Sequence, residues 1–343
     1  MKQATLCFKY TALCFFVVAA SLLMRSSALG QTLTWSAPVS NNPSLQPIGG
    51  VSGRPGVYPV VFNGKVWVAF TSSQCGSGIC YINVANNGGS GTTFGNQSIV
   101  PFPDGDYATS NVNPALAVAT NNGVQTLYLI FTTSAGQHEI AASNDGYTWS
   151  DPNGLIYVPN TVYSPSVAQD PSNPSILYIG YMNGTYYTPV LCTFDTTNPN
   201  NQSCQNLTSL RTMNFNPGMV FYDNILYLGF EDRGDSHCLY FYKYTPSTNI
   251  FSFWNPLNCG EQTSTAPSLA VYNNDLYVGF RTNDSSQKFT VRISTDGNTL
   301  PYRQQPAFKM DGAPALLNAA GTGNTGLFNF YAFNSHLWTS LGH

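Results

Sequence analysis

Pro267-Ser268-Leu269-Ala270-Val271-Tyr272, then Asn273-Asn274-Asp275, then Leu276-Tyr277-Val278-Gly279-Phe280 is the stretch that decides the fold. It reads as an alternating strand, a tight polar turn and a second, aliphatic-aromatic strand. Met219-Val220-Phe221-Tyr222, Asp223-Asn224 and Ile225-Leu226-Tyr227-Leu228-Gly229-Phe230 repeat it, and Asn63-Gly64 fills the same turn near the start. Asn and Gly tolerate positive φ, so such pairs between apolar runs signal hairpins. The pattern opens at Pro59, Pro114, Pro165, Pro217, Pro267 and Pro314, an interval of about fifty residues.

Each segment continues with two weaker strands, as near residues 138–142 and 147–150 in the second. Four strands in about fifty residues make one propeller blade. The expectation is an all-β, six-bladed β-propeller of four-stranded blades. The sixth segment stops early, after His336-Leu337-Trp338-Thr339-Ser340. The spare strand Thr32-Leu33-Thr34-Trp35-Ser36-Ala37-Pro38 resembles Tyr147-Thr148-Trp149-Ser150-Asp151-Pro152. The N-terminal strand is therefore expected to pair into the last blade and close the ring, removing an exposed sheet edge.

Composition agrees. Of 343 residues, 14% are aromatic and only 8% charged, which favours short strands over helices or disorder. Residues 1–30 combine Lys2 and Lys9, an apolar run over 11–24, and Ala28-Leu29-Gly30, and read as a secretory signal cleaved near Gly30. The expected domains are thus a signal peptide, 1–30, and one propeller, 31–343, secreted, periplasmic or at the cell surface, monomeric and without a membrane span. Cleavage removes Lys2, Lys9 and Arg25 and no acid. Ten basic and sixteen acidic side chains remain, a net charge of −6. That balance excludes a basic footprint for nucleic acid.

Cys75, Cys80, Cys192, Cys204, Cys238 and Cys259 remain after cleavage. Six cysteines allow fifteen pairings. The repeat register selects Cys75–Cys80, Cys192–Cys204 and Cys238–Cys259, each within one repeat. No CxxC spacing and no nearby histidine cluster supports a metal, so neither metal nor cofactor is expected. No G-x-S-x-G elbow, phosphate loop or dinucleotide fingerprint occurs. His138, His237, His336 and His343 read as surface residues.

Ser143-Asn144-Asp145-Gly146-Tyr147-Thr148-Trp149 resembles the Asp-box, S-x-D-G-x-T-W, of the sialidase-like propeller superfamily. Ser294-Thr295-Asp296-Gly297-Asn298-Thr299-Leu300 is a degraded copy in phase with the repeat. The resemblance covers residues 31–343 and implies a propeller, commonly of six blades. It makes Ser143, Asp145, Gly146 and Trp149 structural, on the face away from the usual ligand site. Sialidases open their first blade with Arg-Ile-Pro. With the proline matched by Pro59, Val57 stands in the arginine position and Tyr58 in the isoleucine position. Valine cannot clamp a carboxylate, so the expected member is non-catalytic.

Blade topology places the loops between second and third strands on the ligand face, beside the approaches to the first strands. Candidate ligand-binding residues are Arg54, Asn113, Tyr181, Glu231, Asp232, Arg233, Arg281 and Asp284. Tyr, Asn, Asp and Arg together supply the stacking faces and paired polar groups that sugars need. The expected function is a secreted module binding carbohydrate or another polar extracellular ligand. A glycoside hydrolase with displaced catalytic groups, using Glu231 or Asp232, and a cell-surface scaffold are the alternatives.

Overall fold

A computed structural model describes residues 59–76, 79–88, 95–110, 112–133, 135–150, 155–156, 164–234, 236–254, 256–257, 259–263, 266–285, 288–304, 328–333 and 336–341. Among these residues there is no helix. Blade one holds β1 (Val60–Phe62), β2 (Lys65–Gly76), β3 (Ile79–Asn86) and β4 (Gly95–Ile99), with β5 (Thr109–Ser110) also pairing to β3. Blade two is β6 (Ala115–Asn121), β7 (Val124–Thr132), β8 (His138–Ser143) and β9 (Leu155–Ile156). Blade three is β10 (Ser166–Gln169), β11 (Ile176–Met182), β12 (Pro189–Asp195) and β13 (Gln202–Asn206). Blade four is β14 (Gly218–Tyr222), β15 (Ile225–Glu231), β16 (Leu239–Thr245) and β17 (Ile250–Trp254). Blade five is β18 (Ser268–Tyr272), β19 (Asp275–Arg281), β20 (Phe289–Ser294) and β21 (Tyr302–Gln304). Every pairing is antiparallel between sequence neighbours, apart from the β3–β5 contact.

The expectation of six blades is corrected to five. The sixth segment contributes a two-stranded sheet, β22 (Phe328–Phe333) and β23 (His336–Leu341), lying beside blade five. The physical reason is that the repeat signature, a proline and two strands about a turn, specifies only a hairpin. Counting signatures counts hairpins, and a blade needs two further strands. The N-terminal strand assigned to complete the sixth blade, residues 32–38, lies outside the described residues. In blade two the outer strand is β9 rather than residues 147–150, of which only Ser150 makes a bridge, to Ala142.

The inner turns follow the sequence reading. Asn63 and Gly64, Asn122 and Gly123, Asp223 and Asn224, and Asn273 and Asn274 all have positive φ at both central positions. That is the twist-matched hairpin geometry these residues favour. Side chains alternate across each sheet, so both faces of a blade pack against neighbours. Trp67, Leu127, Phe131 and Trp149 fill the seam between blades one and two. Tyr128, Ile130, Tyr181 and Phe194 fill the next. Tyr178, Met219 and Leu228 follow, then Tyr227, Phe241, Val278 and Phe280.

Residues 143–149 form a tight turn after β8. The Gly146 and Asp145 amides donate to Ser143 Oγ at 2.7 and 3.3 Å, and the Tyr147 and Thr148 amides donate to Asp145 Oδ1, each at 2.7 Å. Residues 294–300 repeat the arrangement after β20, with Gly297 N–H donating to Ser294 Oγ and Asn298 and Thr299 amides to Asp296 Oδ1. Leu300 occupies the seam position of Trp149. Ser143 is buried. Ser143→Ala leaves two amides without their acceptor and should lower stability by about 1–2 kcal/mol, read as a shift in urea midpoint at constant slope.

Among the described residues two disulfides are seen, Cys192–Cys204 across β12–β13 and Cys238–Cys259. Cys75 and Cys80 are register partners on β2 and β3, and the Cys75 side chain lies outside the described residues. No helix among the described residues is long and apolar enough to cross a membrane.

Candidate functional site

The loops between second and third strands share one face with the segments that lead into each first strand. In blade four, the segment before β14 runs antiparallel to the end of β15. Met213 bridges Asp232, and Arg233 N–H donates to the Thr212 carbonyl at 3.1 Å. Blade five repeats this, with Thr263 bridging Thr282 and Asn283 N–H donating to the Gln262 carbonyl at 3.1 Å.

Alternation on this short ladder sorts the side chains. Glu231 lies on one side with Asn214, whose Nδ2 donates to Glu231 Oε1 at 3.1 Å. His237 Nδ1 also contacts Glu231 Oε1. Glu231 is 1% exposed, and its Oε2 is buried without a hydrogen-bond partner. Burial raises the carboxyl's pKa above the usual carboxylate range, and the His237 and Asn214 hydrogen bonds oppose that rise. Such a carboxyl is poised to hold a proton more readily than a surface glutamate. On the other side, buried Asp232 accepts from Ser236 Oγ at 3.3 Å and lies 3.9 Å from Arg211 Nη1. The Arg211 guanidinium sits 4.3 Å from the Tyr240 ring centroid. Arg233 is exposed, with its guanidinium 3.0 Å from the Tyr187 ring centroid.

The other candidates are dispersed. Tyr181 is buried in the seam between blades two and three, edge-on to His138, so its ring is core. Asn113 is buried and accepts from Thr71 Oγ1 at 3.3 Å. Arg281 is buried at the end of β19, and exposed Asp284 accepts from Thr282 Oγ1 at 2.8 Å. Arg54 lies outside the described residues. The structure therefore brings together Glu231, Asp232 and Arg233.

Sequence reasoning missed Arg211, Asn214 and His237, which reach the end of β15 from the segment and loop packed beside it, and Tyr187, which meets Arg233 from the neighbouring blade. It also missed Glu261, which accepts from Arg292 and lies 3.4 Å from Arg303 Nε. His138, expected at the surface, is instead wholly buried, because it opens β8 facing the seam. Its Nδ1 is 3.0 Å from Thr132 Oγ1, and its Nε2 has no hydrogen-bond partner. Burial lowers its pKa to about 4, with a hydrogen bond to the Phe131 backbone acting the other way.

No family model matches the chain, and no curated protein matches it. Among solved structures it is similar to the SapL1 lectin in complex with alpha methyl fucoside, at 12% identity, a TM-score of 0.56, and coverage of 85% of this chain and 89% of the lectin. It is similar to the subtype N11 neuraminidase-like protein of A/flat-faced bat/Peru (H18N11), at 11% identity, a TM-score of 0.53, and coverage of 90% and 87%. An alpha-L-arabinofuranosidase from Clostridium thermocellum aligns at 12% identity and a TM-score of 0.47, over 74% and 94%. At these identities the lectin and the neuraminidase-like protein, both above a TM-score of 0.5, show a shared fold alone.

Proposed function

We propose that this chain is a secreted propeller that binds carbohydrate or another polar extracellular ligand, without catalysis, on the face that carries Glu231, Asp232 and Arg233. The observation that carries this reading is the clustering there of an aromatic-backed guanidinium, a half-exposed imidazole and a buried carboxyl. Sugars are held by such combinations of ring faces and charge-assisted hydrogen bonds. The lectin likeness, in a structure with alpha methyl fucoside, supports it. In the same reading, the turns at 143–149 and 294–300 are Asp-boxes of the sialidase-like superfamily. Residues 1–30 are a signal peptide, consistent with the disulfides among the described residues.

A glycan panel followed by titration calorimetry tests this. Binding of at least one glycan, weakened by Arg233→Ala, is the expected result, and silence across the panel would count against it. A second reading, glycoside hydrolysis, is favoured by the raised pKa of Glu231 beside Asp232. It requires turnover of a chromogenic glycoside that Glu231→Gln abolishes. Absence of turnover in the unmodified chain removes that reading.

A further inference from the structure

Two residues on the site face hold a positive φ at one equivalent place in consecutive repeats. Tyr187 has φ 57° and His237 has φ 49°. Each immediately precedes the residue that closes its loop: Asn183 N–H donates to the Thr188 carbonyl, and Asp232 N–H to the Cys238 carbonyl. Each offers its own carbonyl to the segment leading into the next blade, Tyr187 to Met213 N–H at 2.8 Å and His237 to Thr263 N–H at 2.9 Å. In blade two the same place, before the Thr133–Gln137 closure, is Gly136 with φ 74°. Glycine is the residue that adopts this conformation without strain. Tyrosine is the clearer departure from that preference, since histidine enters this region more readily, and a bulky side chain at such a position motivates asking what it does.

The chemistry at those places is specific. Arg233 lies over the Tyr187 ring, and His237, four residues later in the same turn, has a side chain 42% exposed. A guanidinium seated on a ring is positioned by that contact and presents its N–H groups at its edge, where they fit an oxyanion in a paired fashion. Among the described residues of blades three and four, the exposed charges on this face are Arg211 and Arg233, whereas Glu231, Asp232 and Glu261 are buried. On these two blades the described acids are turned inward and the arginines outward, on a chain whose formal net charge is −3, whereas in blade five Arg281 is buried and Asp284 exposed.

We infer that Arg233 on Tyr187, with His237 in the same turn, is a subsite for an oxyanion carried by a saccharide, a sulfate or a carboxylate. This rests on the carbohydrate reading above and adds the charge of the ligand. It places the anion at the junction of blades three and four, held by a single supported arginine.

The test is calorimetry on the full secreted chain with three probes: a heparin oligosaccharide, an oligogalacturonate and a neutral glucan of matched length. The expected result is binding of an acidic probe that weakens with salt. Arg233→Ala should weaken it roughly ten- to hundredfold, the fold-change for losing a charge-assisted pair, and Tyr187→Gly should weaken it in the same direction. Lys243→Ala, which removes one positive charge beside Asn298, should leave it unchanged. Heparin without oligogalacturonate assigns a sulfate, and both together assign a carboxylate. Binding of the glucan alone, indifferent to Arg233→Ala, overturns the oxyanion subsite and leaves the carbohydrate reading standing. Equal losses in Arg233→Ala and Lys243→Ala overturn it in favour of diffuse charge. Silence with all three probes overturns the subsite, and the wider panel then decides the reading beneath it.

Discussion

Gly146→Ala should lower stability by about 2–5 kcal/mol, summing the left-handed backbone penalty and the cost of overpacking. Gly146 has φ 83°, and a Cβ there would stand 2.1 Å from Trp67 Cη2. The Trp67 ring is almost fully buried in the first seam, edge-on to Phe62 and Tyr147, so it has little room to retreat. Gly64 is the control. It has φ 69° but nothing within 4 Å of a built Cβ, so alanine there meets the backbone term alone. The difference between the two urea midpoints isolates the clash. Equal losses at both positions would show that Trp67 does not hold the turn.

Acidification should destabilise the protein through His138. Its folded pKa is about 4 against an ordinary 6.5, so the native state binds fewer protons than the unfolded chain. Stability is full above pH 6.5, falls as pH drops, and levels off below about 4. The loss across that window is about 3 kcal/mol, from 1.36 kcal/mol per pKa unit. Glu231 acts in the opposite sense, because a raised carboxyl pKa favours the fold at low pH and loses that contribution as pH rises. Asp145, held low by the Thr148 amide first among its hydrogen bonds, weakens the fold only as pH drops toward and below the usual carboxylate range. Comparing His138→Gln with the unmodified chain separates these terms. The variant should show a flatter stability profile between pH 6.5 and 4.5, and parallel profiles would remove His138 as the cause.

The propeller was legible because its hairpins are local. Asp223-Asn224 and Asn273-Asn274 are turn chemistry, and they sit where the sequence places them. The blade number was misread because the outer strands carry little pattern. β9 has two residues and β21 three, and burial alternation on such strands is too short to read. Within the site, Glu231, Asp232 and Arg233 were found as a polar run at the end of a strong strand. Burial of the two acids was invisible, since it comes from residues 211–214 lying across them. Tyr181 and His138 were misplaced for one reason: polar tips on seam-facing positions look like surface until the neighbouring blade is known.

Both described disulfides join residues of a single repeat, and neither spans a seam between blades. A protease cut in the turn at 196–201, or in that at 246–249, therefore leaves two pieces tethered, which migrate as one species on a denaturing gel until thiol is added. A cut at 183–188 falls outside both loops and releases separate fragments without reductant. Covalent cross-links thus reinforce individual repeats, whereas cohesion from one blade to the next rests on side-chain packing and on hydrogen bonds across the seams, such as those from Met213 N–H to the Tyr187 carbonyl and from Trp254 Nε1 to the Asn298 carbonyl.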